Sequence, residues 1–161
     1  MIVLQAAVIE EQIHQDFLVA NGGKALTSTF SFPRGDDTFD DLNLFVATLE
    51  QLEEAFIAAY LAAVKEFALM GQAGLAQIAA QICNIESEHR ALGRDIGGLI
   101  PADNFAFTPA LVESVGDAVD VLSAEGFLSP KTGNSFTYHP VSTADHGVIR
   151  RTPFSAGEDN D

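Results

Sequence analysis

The stretch that most constrains the fold is 73–94, where apolar residues recur with the period of an α-helix. Two polar residues, Glu86 and His89, interrupt its apolar face and lie three positions apart, one turn along the same face of a helix. A carboxylate and an imidazole are costly to bury among apolar side chains unless a partner satisfies them. A metal ion bound by both would do so. A buried, hydrogen-bonded Glu–His pair without metal is the alternative.

The same spacing recurs near the start of the chain, in Glu11 and His14. Their surroundings predict an amphipathic helix over residues 2–20, ended by the turn residues Asn21-Gly22-Gly23. No N-cap residue, basic segment or cleavage site precedes this helix. We therefore expect no signal peptide in the chain as given, and the uncapped start indicates either that the chain is a fragment or that its start codon lies upstream of Met1.

A third ligand position follows from a predicted helical hairpin. One long helix is expected from Asp37-Thr38 to about Met70, and Gly71–Gly74 forms the short turn to the next. Glu53 lies 18 residues before Gly71 and His89 lies 18 residues after it, so antiparallel packing puts them at the same depth. Glu53 is the predicted ligand and Glu50, one turn further, is the alternative. Without metal, Glu53 is a solvated residue of an acidic helix face.

The remaining segments complete an all-α organisation. Residues 22–37 have no helical period and read as a long crossover between parallel helices. Thr108-Pro109 predicts the start of a shorter helix, Ala110–Ala124. From residue 129 the composition shifts to Ser, Thr, Gly, Asn, Pro and Asp, so we expect a bundle over 1–128 and a poorly ordered, removable tail over 129–161.

The charge excludes several classes of partner. The 161 residues carry a formal net charge of −15, which argues against binding to nucleic acid or to an anionic membrane surface. No apolar run is long enough to span a bilayer. The single cysteine, Cys83, excludes an intrachain disulfide and is expected to be a packed core thiol.

Taken together, these motifs resemble the ferritin-like di-iron carboxylate bundle, in which two helices each give a Glu and two others each give Glu-x-x-His. Within that superfamily the chain most resembles the ferritin-like domain family that includes desiccation-related proteins. The resemblance covers about residues 5–128. It rests on four segments: 85–92, 52–61, the crossover Phe30-Ser31-Phe32-Pro33 and Glu11-x-x-His14.

The resemblance implies a metal site formed by Glu11, His14, Glu53, Glu86 and His89, holding two iron or manganese ions when complete. It implies ferroxidase activity, or stress protection by consumption of oxygen or peroxide. The alternative is a non-catalytic stress or desiccation-related structural protein whose site is vacant or holds a structural metal. The family's first helix has no counterpart before Met1, so three long bundle helices are expected instead of four. We therefore expect that the chain either forms a homo-oligomer that covers the face left by the missing helix or is marginally stable.

Overall fold

The computed structural model describes residues 2–143 and 149–153. Within them the chain is 58% helix and 4% strand, so the predicted all-α class is confirmed. The elements, in chain order, are α1 (Ile2–Ala20), β1 (Thr29–Phe30), α2 (Asp37–Asp40), α3 (Leu42–Leu69), α4 (Ala73–Ile96), a 3₁₀ turn (Val115–Asp117), α5 (Ala118–Ala124) and β2 (Phe136–Thr137). No helix in these ranges is both long and apolar enough to cross a bilayer.

The chain divides into two compact units, Met1–Leu26 with His139–Asp161, and Thr27–Tyr138. The first unit contains α1, whose bounds agree with the sequence prediction. Gln12, on α1, accepts a hydrogen bond from the backbone N–H of Val141 at 3.2 Å. Asn21 and Gly22 end the helix as predicted, with Gly22 at φ 93°.

The second unit is built on the hairpin of α3 and α4. Gly71 adopts φ 71°, and the N–H of Gln72 bonds to the carbonyl of Phe67 at 2.8 Å, which closes the turn. Later residues of α4 contact earlier residues of α3: Cys83 contacts Ile57, and Arg94 contacts Glu50. The helices are therefore antiparallel, as predicted.

The hairpin packs closely because α4 carries a glycine on the face toward α3. A Cβ on Gly93 would lie 2.5 Å from Cδ2 of Leu49. Gly93 is one turn beyond His89 on the same helix. The close approach brings the two helices together beside the predicted ligands.

The long helix predicted from Asp37 is interrupted at Asp41, which has extended backbone dihedrals of φ −129° and ψ 125°. Its carboxylate caps α3 by accepting from the N–H groups of Asn43 and Leu44, at 2.8 and 3.0 Å. Asp41, which the sequence placed in the first turn of a single long helix, is thus the N-cap of α3. The prediction of a single helix from Asp37 is therefore wrong, because α2 and α3 are separated at Asp41.

The last predicted helix starts later than Ala110. The segment before Ser114 is not helical, and Ser114 with Asp117 forms the capping box that begins the 3₁₀ turn and α5. The backbone N–H of Ser114 bonds to Asp117 Oδ2 at 2.9 Å. The Thr108-Pro109 start was therefore wrong, since the side chains that satisfy the first N–H groups lie further along.

Part of the predicted tail belongs to the second unit. β2 pairs antiparallel with β1, in the register Thr29 with Thr137 and Phe30 with Phe136. Asn134 forms two hydrogen bonds to the backbone of the crossover: its Oδ1 accepts from the N–H of Phe32 at 2.9 Å, and its Nδ2 donates to the carbonyl of Phe32 at 2.8 Å. Residues 129–138 are therefore ordered, which differs from the predicted boundary after residue 128. The remainder of the tail lies partly outside the described residues.

The crossover and this returning segment share a small core of aromatic rings. Phe32 lies edge-on to Phe39, Phe127 and Phe136, with ring centroids 5.0, 6.3 and 5.0 Å away. Ser31, fully buried, donates to the carbonyl of Gly126 at 2.6 Å and accepts from the N–H of Ser129 at 2.9 Å. These contacts fix the crossover against α2 and the end of α5.

Candidate metal centre

The hairpin brings together three of the predicted ligands, Glu53, Glu86 and His89. One ligand atom of each lies within 4.8 Å of the others. Nδ1 of His89 is 3.5 Å from a carboxylate oxygen of Glu86 and 3.9 Å from one of Glu53. The depth count about Gly71 therefore gave the correct neighbours.

The placement of each side chain follows from helix geometry. Glu86 and His89 are one turn apart on α4 and share the face that packs on α3. Glu53 comes from the facing turn of α3. All three side chains are buried, with exposed fractions of 6% for Glu53, 1% for Glu86 and 3% for His89. Two carboxylates and an imidazole thus converge where little water reaches them.

The distances from Nδ1 of His89 to the two carboxylates are close to those of ligands that share a cation. A hydrogen bond to nitrogen needs about 2.7–3.2 Å, and both distances exceed it. Two ligands each about 2.1 Å from one ion lie roughly 3.0–3.5 Å apart, depending on the coordination geometry; the 3.5 Å to Glu86 falls in this range, and the 3.9 Å to Glu53 lies just above it. Carboxylates bind hard cations, and imidazole extends the set to iron, manganese and zinc. The residues present therefore fit a metal ion, though the set alone does not complete a coordination sphere.

Cys83, one turn before Glu86, does not add a ready ligand. Its Sγ donates weakly to the carbonyl of Ile57 at 3.7 Å. Burial raises the pKa of the thiol, and the negative charge of Glu86 raises that pKa further. The thiol is therefore protonated at neutral pH and serves as the packed core residue expected from the sequence.

The other acidic residues of this part of α3 are bound by arginines of α4. Arg94 Nη1 donates to Oε1 of Glu50, and Arg90 Nε donates to Oε1 of Glu54 at 2.8 Å. Glu50, the alternative ligand, thus forms an ion pair with Arg94.

The second predicted pair, Glu11 and His14, lies on α1 in the other unit. Nδ1 of His14 is 3.8 Å from Oε2 of Glu11, and the two side chains are 14% and 38% exposed. The pair therefore has the helical arrangement that the sequence predicts. Its participation in a site with the residues of α3 and α4 stays a prediction.

The packed helices with a buried carboxylate–histidine set make this an all-α protein with a candidate metal centre. The family model described as a ferritin-like domain matches residues 2–98, which is more than half of the chain and contains all five predicted ligands. The chain belongs to this family, and the predicted ferritin-like helical fold is confirmed. The match does not separate a desiccation-related subgroup, so that assignment stays a prediction. Neither a curated protein nor a solved structure matches the chain significantly.

Proposed function

We propose that this protein binds iron or manganese at a carboxylate–histidine centre in the α3–α4 hairpin and uses it to consume oxygen or peroxide, or to oxidise iron. The observation that carries the proposal is the convergence of Glu53, Glu86 and His89 in a buried position, within 4.8 Å of one another. Membership of the ferritin-like family supports it.

The three side chains have separate tasks in this proposal. Glu53 and Glu86 supply the negative charge that a divalent cation needs, each from a different helix. His89 supplies a nitrogen ligand, which favours a transition metal over calcium or magnesium. Because the ligands come from two helices packed through Gly93, the hairpin fixes their separation before an ion arrives.

A complete site needs more donors than these three. We propose that Glu11 and His14 of α1 supply the second Glu-x-x-His, which would make room for two ions. When bound, a pair of iron or manganese ions would supply the redox chemistry toward oxygen or peroxide. The protein would hold the ions at a fixed distance and limit the access of water through the apolar packing of α3 and α4.

Metal analysis of the full chain tests the proposal. Protein expressed with added iron is analysed by inductively coupled plasma spectrometry and by near-ultraviolet absorption, beside Glu86→Ala and His89→Ala. Glu88→Ala is the matched control, because Glu88 is exposed on the same helix. We expect about two ions per chain in the wild type and in the control, and a large loss in both ligand variants.

The same measurements distinguish the proposed redox function from the alternative of a non-catalytic stress protein. A bound metal with no turnover of oxygen, peroxide or ferrous iron would indicate a structural site in a non-catalytic stress protein. A folded protein that binds no metal would contradict the proposal. Unchanged metal content in both ligand variants would refute the assignment of α4 as a ligand helix.

Association between copies of the chain also stays a proposal. It rests on the face left by the missing helix, to which the apolar stripe of α3 would contribute. In the structure Leu42 is exposed at 53% and Ala63 is buried, while Phe45, Phe56 and Phe67 are half-buried. The exposed part is thus smaller than expected. Light scattering together with concentration-dependent melting tests it, and a monomer with a concentration-independent melting temperature would contradict it.

A further inference from the structure

Three glutamates within five residues of α3 are equal candidates for a metal by residue type: Glu50, Glu53 and Glu54. Glu50 lies on the same side of the helix as Glu53, one turn or about 5 Å away. Residue type therefore does not decide which carboxylate joins Glu86 and His89. The partners that these glutamates have in the structure supply the missing selection.

Arg94 forms an ion pair with Glu50 and also donates hydrogen bonds to the loop after α4. Its Nη1 donates to Oε1 of Glu50. Its Nε donates to the carbonyl of Ala102 at 2.8 Å, and its Nη2 to the carbonyl of Pro101 at 3.2 Å. The loop after α4 thus fixes the guanidinium, and the guanidinium fixes the glutamate.

Arg90 does the same for Glu54, and its Nη2 also lies 3.6 Å from Oε1 of Glu50. Its Nε donates to Oε1 of Glu54 at 2.8 Å, and its Nη1 donates to Oδ1 of Asn104 at 2.9 Å. The guanidinium carbon lies 3.8 Å from the ring centroid of Phe105, a cation–π contact. Arg90 is 5% exposed and Glu54 is 29% exposed, so their ion pair is partly shielded from solvent.

We propose that Arg90 and Arg94 are positioning residues that keep Glu50 and Glu54 out of the metal centre and leave Glu53 as the ligand from this part of α3. Two guanidinium charges balance two carboxylates, so a cation would have to displace an arginine to recruit either glutamate. This inference rests on the proposed metal function. It adds that the arginines of α4 and the loop 101–105 reinforce the choice of ligand in α3 that the depth of Glu53 opposite His89 already favours.

Second-site recovery of metal binding tests the inference. The probe is Mn²⁺, and its free concentration is followed by electron paramagnetic resonance with the full chain. Glu53→Gln is expected to weaken Mn²⁺ binding by at least about tenfold, as loss of a ligand should. In Arg94→Met/Glu53→Gln, Glu50 loses its hydrogen bond to Arg94 and keeps only the longer contact of 3.6 Å with Nη2 of Arg90. Glu50 can then take the empty position, and we expect roughly tenfold tighter binding than in Glu53→Gln alone.

Two controls isolate the role of Glu50. Arg34→Met/Glu53→Gln removes an arginine that contacts α3 through Thr48, at 2.8 Å, and releases neither glutamate; it should bind as weakly as Glu53→Gln. Adding Glu50→Gln to Arg94→Met/Glu53→Gln should abolish the recovery. If Arg94→Met does not fold, Arg94→Gln replaces it, because Gln can still donate to the loop carbonyls while losing the charge.

The outcomes separate the inference from the function on which it rests. Recovery that needs Glu50 and does not occur with Arg34→Met supports the positioning role. Equally weak binding in Glu53→Gln and in both Arg94 double variants overturns that role and leaves the metal function intact. Full Mn²⁺ binding in Glu53→Gln alone overturns the ligand assignment itself, and the inference with it.

Discussion

Replacing one buried carboxylate by its amide should stabilise the metal-free protein and destabilise it relative to the wild type once metal is added. Glu86 is the position to change, because its side chain is 1% exposed and a ligand oxygen of Glu53 lies within 4.8 Å of its own. Glu86→Gln keeps the shape of the side chain and removes the charge. A gain in stability without metal and a loss relative to the wild type with metal would distinguish a metal site from a structural polar cluster.

The magnitude follows from the distance between the two carboxylates. Two unit charges at the upper limit of 4.8 Å repel by about 3.5 kcal/mol at an effective dielectric constant of about 20, and by more if they lie closer. His89 lies beside both carboxylates and reduces this repulsion, so we expect a net gain of about 1–2 kcal/mol in the metal-free variant. For a chain of this size that corresponds to a rise in melting temperature of roughly 2–8 °C.

Added metal should reverse the order of stability, so that the wild type becomes more stable than Glu86→Gln. At a free Mn²⁺ concentration of about 100 times the dissociation constant, a single site stabilises the native state by about 2.7 kcal/mol. The wild type should gain this and Glu86→Gln should gain little, because the amide is a poor ligand for a hard cation.

The assay is thermal melting by circular dichroism, in chelator and in excess Mn²⁺, at one protein concentration. Glu88→Gln is the matched control, since it makes the same change at an exposed position two residues further on α4. It should change neither melting temperature by more than about 1 °C. Equal or lower stability of Glu86→Gln in chelator, or an equal gain from Mn²⁺ in both proteins, would refute the reasoning.

Three further predictions follow from the second unit and its ligands. Asn134→Ala removes both hydrogen bonds to the backbone of Phe32 and should lower the free energy of unfolding in urea by about 2 kcal/mol; a change below about 0.5 kcal/mol would show that water replaces the side chain. Deleting 131–161 removes β2 and this contact, so it should lower stability by more than Asn134→Ala, contrary to the removable tail expected from composition; an unchanged urea midpoint would restore that expectation. Glu53→Ala should reduce bound metal, measured by equilibrium dialysis, more than Glu50→Ala does; the reverse order would place the site one turn along α3.

The helices that carry the ligands were predictable because their signals are local and repeated. The apolar period of 73–94 continues over several turns, and Gly71 marks the turn between the two long helices. With both helices and the turn in hand, the depth of Glu53 relative to His89 is a matter of counting. Helix geometry therefore carried the prediction from the sequence to the neighbours in the site.

The errors arose where the structure is decided by distant or competing partners. Asp41 is equally acceptable in the first turn of a helix and as the N-cap of the next, and only the extended backbone decides between them. Two-residue strands have no period, so the pairing of Phe30 with Phe136 leaves no mark in either segment alone. The Ser114–Asp117 box was readable in the sequence, but Thr108-Pro109 offered an earlier start that resembled it.

The hairpin also restricts how the length of this protein can vary. Glu53 and His89 lie at equal distances along the chain from Gly71. One residue inserted in α3 between Glu53 and the turn would rotate Glu53 by about 100° relative to the rest of the helix and displace it by about 1.5 Å. A matched insertion of seven residues in each helix, close to two turns, would keep the facing sides and the depth almost unchanged. Insertions and deletions between the ligands are therefore tolerable only in such matched pairs, whereas the loops outside 53–89 can change length without moving Glu53 relative to His89.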